Sequence, residues 1–202
     1  EMLIKELIAG DEIDRDGLIS RLTLVRGTMS MVQSQMKDVQ LLFPSTKSKT
    51  KNIDVKTVSE KVHNLYKRAF KENRITVEYS LSTQPLVVKT TDAVLLQVFI
   101  NLFDNSLYWL KTMNDERKIL ITIDGSQQRM IFSDSGPGIK SDDIDYIFEA
   151  FYSGKGEEGL GLGLYIARQL LDRYDYSIDL AEFSKDRILS GANFVLEFVN
   201  EG

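Results

Sequence analysis

Two asparagines, Asn101 and Asn105, stand one helical turn apart in a stretch that is otherwise largely apolar. An amide oxygen is a hard ligand of the kind Mg²⁺ takes, and an amide on a buried helix must find a polar partner. Asp134-Ser-Gly-Pro-Gly138 follows an apolar run. Its carboxylate is an acceptor suited to an exocyclic amine such as that of adenine, and Gly136 and Gly138 permit a tight path and close approach of a ligand. Gly159, Gly161 and Gly163 alternate with Leu160, Leu162 and Leu164 and then enter a helix-like segment. Bare N–H groups at a helix N-terminus favour a phosphate. Between these segments Phe148-Glu-Ala-Phe151 leads into a polar, glycine-rich stretch with Lys155 as its one cation. Such a stretch reads as a lid hinged on an anchored end, and Lys155 is its natural contact for a terminal phosphate.

Each segment taken alone has a plainer reading: a polar stripe facing water, a surface turn, a flexible glycine turn, a mobile loop with an ordinary lysine. In this order they describe one nucleotide pocket. It is neither a P-loop nor a dinucleotide fingerprint, because the Lys-Ser/Thr pair and the strand-turn spacing are missing.

The elements that must position these residues can be read from periodicity. A helix is expected from about Asp92 to Met113. Its apolar residues cover most of the circumference, and Gln97, Asn101, Asn105 and Tyr108 form one narrow polar stripe. Asp54 can cap a helix running to about Glu72, with Val55, Val58, Val62, Leu65 and Ala69 on one side. Alternation predicts strands around Ile75–Tyr79, Leu86–Val88, Ile119–Ile123, Arg129–Phe132, Ser177–Phe183 and Asn193–Val199, with a helix from Gly163 to about Tyr174. Helices on one side of a mostly antiparallel sheet make a two-layer α/β sandwich.

Upstream, Leu18, Leu22, Val25, Met29, Val32, Met36, Val39 and Phe43 alternate spacings of four and three. That is the seam of a coiled coil or helical bundle, most simply a homodimer through residues 18–43. Leu3, Ile4, Leu7 and Ile8 read as the end of a preceding helix, and Pro44 stops the seam. The polar, basic stretch 44–52 reads as a linker. The expected division is a helical arm over 1–43, a linker over 44–52 and a catalytic domain over 53–202.

Composition narrows the function classes. No Cys is present, which removes disulfides, zinc-thiolate sites and thiol catalysis, and the single His63 removes multi-histidine metal sites. A net charge of −5 weighs against nucleic acid as a partner. No uninterrupted apolar run reaches the ~18 residues of a membrane span. The chain opens on Glu1 and not on Met, so it reads as a fragment, and a sensor or membrane segment upstream stays open.

The four segments together resemble the GHKL ATPase superfamily, and most closely the ATP-binding catalytic domain of sensor histidine kinases. The resemblance spans roughly residues 54–200 and implies the Bergerat sandwich, with ATP and Mg²⁺ as cofactors. Asn105 matches the metal-ligating asparagine of the N box, with Asn101 one turn earlier. Asp134, Gly136 and Gly138 match the adenine-reading box, and Phe148 and Phe151 the F box. Gly159, Leu160, Gly161, Leu162, Gly163 and Leu164 match the phosphate box, while Ser190-Gly191-Ala192 resembles a final glycine box. Trp109, Phe151 and Lys155 complete the nucleotide-contacting set, and Asn101, Asn105 and Lys155 are the expected catalytic residues. Tyr108 stands where many histidine kinases carry a lysine.

No phosphoacceptor motif of the His-Glu-Leu-Arg-Thr-Pro kind occurs, and His63 is expected to be a packing or surface residue. The resemblance implies γ-phosphoryl transfer to a histidine upstream, in two-component signalling. It further implies a response-regulator receiver domain as partner and a cytoplasmic placement for this part, with membrane attachment only through upstream segments. Two alternatives remain: a degenerate binding module, and a GHKL clamp driven by hydrolysis. Hydrolytic members place a Glu general base where this chain has Asn101, which cannot accept a proton at neutral pH.

Overall fold

The computed structural model describes residues 49–156, 159–182 and 184–199, with isolated positions between Gly17 and Arg26. The chain divides into two compact units, Glu1–Pro44 and Ser45–Gly202. In the first, the described positions are helical. Leu22 and Val25 of the apolar seam are 56% and 54% exposed, and neighbouring Ile19 is 61% exposed. The rest of the seam, and the short helix expected before it, lie outside the described residues.

The second unit runs β1 (Lys51–Asp54), α1 (Val55–Glu72), β2 (Ile75–Leu81), β3 (Val87–Thr90), α2 (Asp92–Lys111), β4 (Arg117–Asp124), β5 (Arg129–Asp134), α3 (Gly163–Asp172), β6 (Ser177–Leu180) and β7 (Asn193–Glu197). The main sheet has the order β2-β4-β5-β7-β6. Its β2–β4 pair is parallel and the other three pairs are antiparallel. The mixed two-layer sandwich expected from periodicity is the fold observed.

Local chemistry explains the boundaries. Asp54 accepts the Thr57 backbone N–H at 2.7 Å and caps α1. Asn73 closes α1, its Nδ2 donating to Ala69 O at 2.7 Å. Thr91 caps α2. The helix ends at Lys111, two residues before the expected Met113, where the Thr112 hydroxyl turns back onto Trp109 O at 2.7 Å. The last two strands are also shorter than expected. β6 stops at Leu180, although Ala181 N still donates to Asn193 O at 2.9 Å.

Strand β1 is the element that composition hides. Lys51 and Asn52 read as the end of a linker, yet they pair with Thr90 and Lys89 of β3. Only Ile53 of this strand is buried, so the pairing rests on its partner and not on its own hydropathy.

The core lies between the helices and the inner face of the sheet. Leu95, Val98, Phe99, Leu102, Phe103 and Leu110 of α2 are fully buried or nearly so. Ile119, Ile121 and Ile123 of β4 and Met130 and Phe132 of β5 alternate inward to meet them. Phe103 sits edge-on to Phe132 at 5.1 Å between centroids. With 20 residues and a mean hydropathy of 1.2, α2 is long and apolar enough to cross a membrane. Half of its most apolar window is buried here, as befits the central helix of a sandwich.

Candidate nucleotide site

The polar stripe of α2 opens toward three loops. Asn101 is only 8% exposed, and its Oδ1 accepts from Gln97 at 3.4 Å. Its Nδ2 is buried with no hydrogen-bond partner. A buried amide donor left unpaired costs about 1–3 kcal/mol, so this group calls for an acceptor. Across from it lies the start of α3, where a Cβ at Gly163 would be 3.6 Å from Asn101 Oδ1. The N-cap of α3, Leu162, makes no side-chain cap, so no capping side chain takes the first N–H groups of that helix.

The glycine run is bound to the loop before it. Phe151 N donates to Gly161 O at 2.9 Å, and a Cβ at Gly161 would meet Tyr152 O at 2.2 Å. Gly161 also has φ +66°, so backbone approach and dihedral both exclude a side chain there.

Asp134 ends β5 and is 4% exposed. Its Oδ2 accepts the Ser106 hydroxyl at 2.7 Å, while Oδ1 accepts Gly136 N at 2.9 Å and Ala192 N at 3.1 Å. Burial pushes the carboxyl above its usual range, and the three donors oppose that rise. A Cβ at Gly191 would lie 2.5 Å from Asp134 Oδ1, which explains why the Ser190-Gly191-Ala192 segment carries a glycine. Trp109 flanks this corner, its Cβ 3.6 Å from where a Cβ on Gly136 would be.

The F-box aromatics part company. Phe148 is buried, edge-on to Phe194 at 6.3 Å, with the Arg168 guanidinium 3.8 Å above its ring. Phe151 is 76% exposed at φ +69°. The anchored end is therefore Phe148, and Phe151 turns its ring to solvent. Beyond it, Lys155 Nζ donates to Asn105 Oδ1 at 2.8 Å and lies 4.7 Å from the Tyr108 ring centroid. Burial lowers the pKa of this ammonium, and the Asp104 carboxylate opposes that.

The fold thus brings Asn101 beside Gly163, Asn105 beside Lys155, and Trp109 and Asp134 beside Gly136, while Gly161 packs on the backbone of Phe151 and Tyr152. His63 lies apart, among Phe70, Tyr79 and Phe103 at 6.0 to 6.2 Å, as a packing residue. Sequence reasoning missed Ser106, which follows Asn105 and had no periodic signal, and the Ala192 amide. Among the described residues no three His, Asp or Glu side chains gather to hold a metal. Any divalent ion here would need amide oxygens and a ligand's own oxygens.

A helix face of amides, a strand-end aspartate and an uncapped helix reached through glycines define a nucleotide-binding α/β sandwich. The family described as histidine kinase-, DNA gyrase B- and HSP90-like ATPase matches residues 90–201, more than half of the chain. The chain belongs to that family. It is 35% identical over 108 residues to the sensor protein ChvG of Rhizobium meliloti (strain 1021), a match covering 50% of this chain and 18% of ChvG. Among solved structures it is similar to full-length ShkA in complex with AMPPNP, with TM-score 0.67, 22% identity, and coverage of 96% of this chain and 41% of that one. The histidine kinase ThkA in complex with the response regulator protein TrrA gives TM-score 0.66 and 18% identity, over 96% and 54% of the two chains. These structural likenesses establish the Bergerat-type fold. The matching family is described as an ATPase family, which makes ATP the nucleotide this domain is of the type to bind.

Proposed function

We propose that this chain is the ATP-binding catalytic part of a sensor histidine kinase, which passes the γ-phosphate of Mg²⁺-ATP to a histidine on a segment upstream of Glu1. The observation that carries this reading is the buried, unpartnered Nδ2 of Asn101, a side chain whose Oδ1 lies 3.6 Å from where a Cβ on Gly163 would be, at the uncapped start of α3. A donor in want of an acceptor, on a side chain beside a helix start that has no side-chain cap, suits phosphate oxygens.

Asp134 reads the base. Of about four acceptor positions on a carboxylate, three are taken by protein donors, and the one left on Oδ2 suits the exocyclic amine of adenine. Trp109 walls the base, and Gly136 and Gly138 keep the backbone close to it. Asn105 offers Oδ1 to Mg²⁺, which when bound neutralises charge on the phosphates. The glycine run and α3 hold the phosphate chain. Lys155 supplies the cation for the outermost phosphate, a role left vacant on α2 by Tyr108. Asn101 orients a phosphate and offers no base to activate water, so bound ATP survives until an acceptor arrives. Phosphoryl transfer asks the protein for placement and charge, and these residues provide both.

By this reading the partners are a second copy of the chain through residues 18–43 and a receiver domain. The complex of ThkA with TrrA supports the latter as a kind of partner.

Incubation with γ-labelled ATP tests the reading. The chain alone should hydrolyse ATP very slowly and remain unlabelled. A longer protein carrying the upstream helix should gain acid-labile label, lost on Asn105→Ala. Rapid phosphate release abolished by Asn105→Ala would place the protein with the hydrolytic clamps. Absence of label in the longer protein would mark a binding module.

A further inference from the structure

Lys155 and Asn105 lie fifty positions apart in sequence and meet at 2.8 Å. The ammonium is held from two further directions. The Tyr108 ring lies beneath it at 4.7 Å, and the Asp104 carboxylate attracts it. The loop that carries Lys155 is seated by packing. A Cβ at Gly154 would touch Trp109 Cζ2 at 3.4 Å, Lys155 N donates to Ser153 Oγ at 3.1 Å, and a Cβ at Gly159 would lie 2.4 Å from Ser153 Oγ.

We propose that Lys155 is a tethered cation that occupies the Asn105 amide oxygen in the nucleotide-free domain, so that metal-nucleotide must evict it on entering, with Tyr108 as the ring that holds it ready. This rests on the reading of Asn105 as the metal ligand. Mg²⁺ would take that same oxygen as a ligand. An ammonium on the same small oxygen would then be a like charge in a partly buried site, where repulsion is poorly screened. The two cations are therefore alternatives. Tyr108 attracts the ammonium through its ring face, beside the attraction of the Asp104 carboxylate. Once evicted, Lys155 finds its nearest new acceptors on the phosphates. Metal entry and engagement of the loop with nucleotide become one exchange. The residue that departs from the family's lysine thus gains a purpose: a cation on α2 at position 108 would repel Lys155 from Asn105.

The exchange also taxes affinity, because only the unlatched fraction of the protein is competent to bind metal-nucleotide. ADP is the suitable probe, since it has no γ-phosphate for Lys155 to contact. Calorimetry on the whole chain would compare wild type, Lys155→Met and Tyr108→Leu, each in Mg²⁺ and in EDTA. Lys155→Met keeps the apolar stem and removes the charge. In Mg²⁺ it should bind ADP about tenfold more tightly than wild type, and in EDTA equally or more weakly. Tyr108→Leu should move the same way by a smaller factor.

Trp109 is the only tryptophan in the chain and lies under Gly154, so its emission reports the seat of the loop. Mg²⁺-ADP should change the wild-type emission, and Lys155→Met should show part of that change before ligand is added. An equal Mg²⁺ dependence of ADP affinity in wild type and Lys155→Met overturns the latch and leaves the nucleotide site standing. Failure of both proteins to bind ADP overturns both.

Discussion

Asp134 shows how one residue can carry fold and function together. It receives Ser106 from α2, Gly136 from its own turn and Ala192 from the approach to β7. Asp134→Ala would leave all three donors without this acceptor, at about 1–3 kcal/mol for each that stays buried and unpaired, which would blur any binding result. Asp134→Asn is the cleaner change. Its amide oxygen can still accept Gly136 N and Ala192 N, while its NH₂ presents a donor to a donor on the base. The expected outcome is near-native thermal stability with ADP affinity reduced by tenfold or more, measured by calorimetry beside a melting curve.

The same residue sets a pH dependence. Its folded pKa is raised above the ordinary 3.8, with burial the main cause. As pH falls through that raised value the carboxyl gains a proton and ceases to be a free acceptor. ADP affinity should therefore decline on the acid side at a pH above the usual carboxylate range, and Asp134→Asn should lack this limb. For stability the sign is opposite. A raised carboxyl pKa adds stability that is complete below the unfolded value and is lost as pH rises through the folded one.

At the scale of elements, the join between the glycine run and the loop before it is the critical piece. Gly161 has φ +66°, and a Cβ there would clash with Tyr152 O at 2.2 Å. Gly161→Ala should cost at least about 1–2 kcal/mol from the left-handed dihedral alone. The clash would further push apart the Phe151–Gly161 hydrogen bond and displace the start of α3. Denaturant unfolding should show the loss, and ADP affinity should fall with it. Asp54→Ala makes the contrast. It removes the α1 cap, worth about 1 kcal/mol, and should leave ADP affinity unchanged because α1 carries no residue of the site.

For the whole molecule, the arm sets the expected assembly. Leu22 and Val25 of its seam lie more than half exposed, and a long apolar stripe in water favours association. Light scattering should report a dimer. Removal of residues 1–43 should give a monomer that still binds nucleotide, because the second unit contains every residue of the site.

What the residues determine by themselves is local and periodic. The caps at Asp54 and Thr91, the inward alternation of Ile119, Ile121 and Ile123, and the all-round apolar surface of α2 follow from side-chain type and spacing, which act within a few residues. The four site segments point to the family only as a set, because each alone has a plainer reading and their order carries the resemblance. The tertiary structure alone decided the pairings across long separations. Ser106 and Ala192 reach Asp134 from 28 and 58 positions away, Lys155 reaches Asn105 from 50, and β1 gains its place only by meeting β3. No periodicity encodes such contacts. They arise when the buried faces of α2, β4 and β5 close on one another and bring the polar side of α2 to Asp134, Lys155 and Gly163.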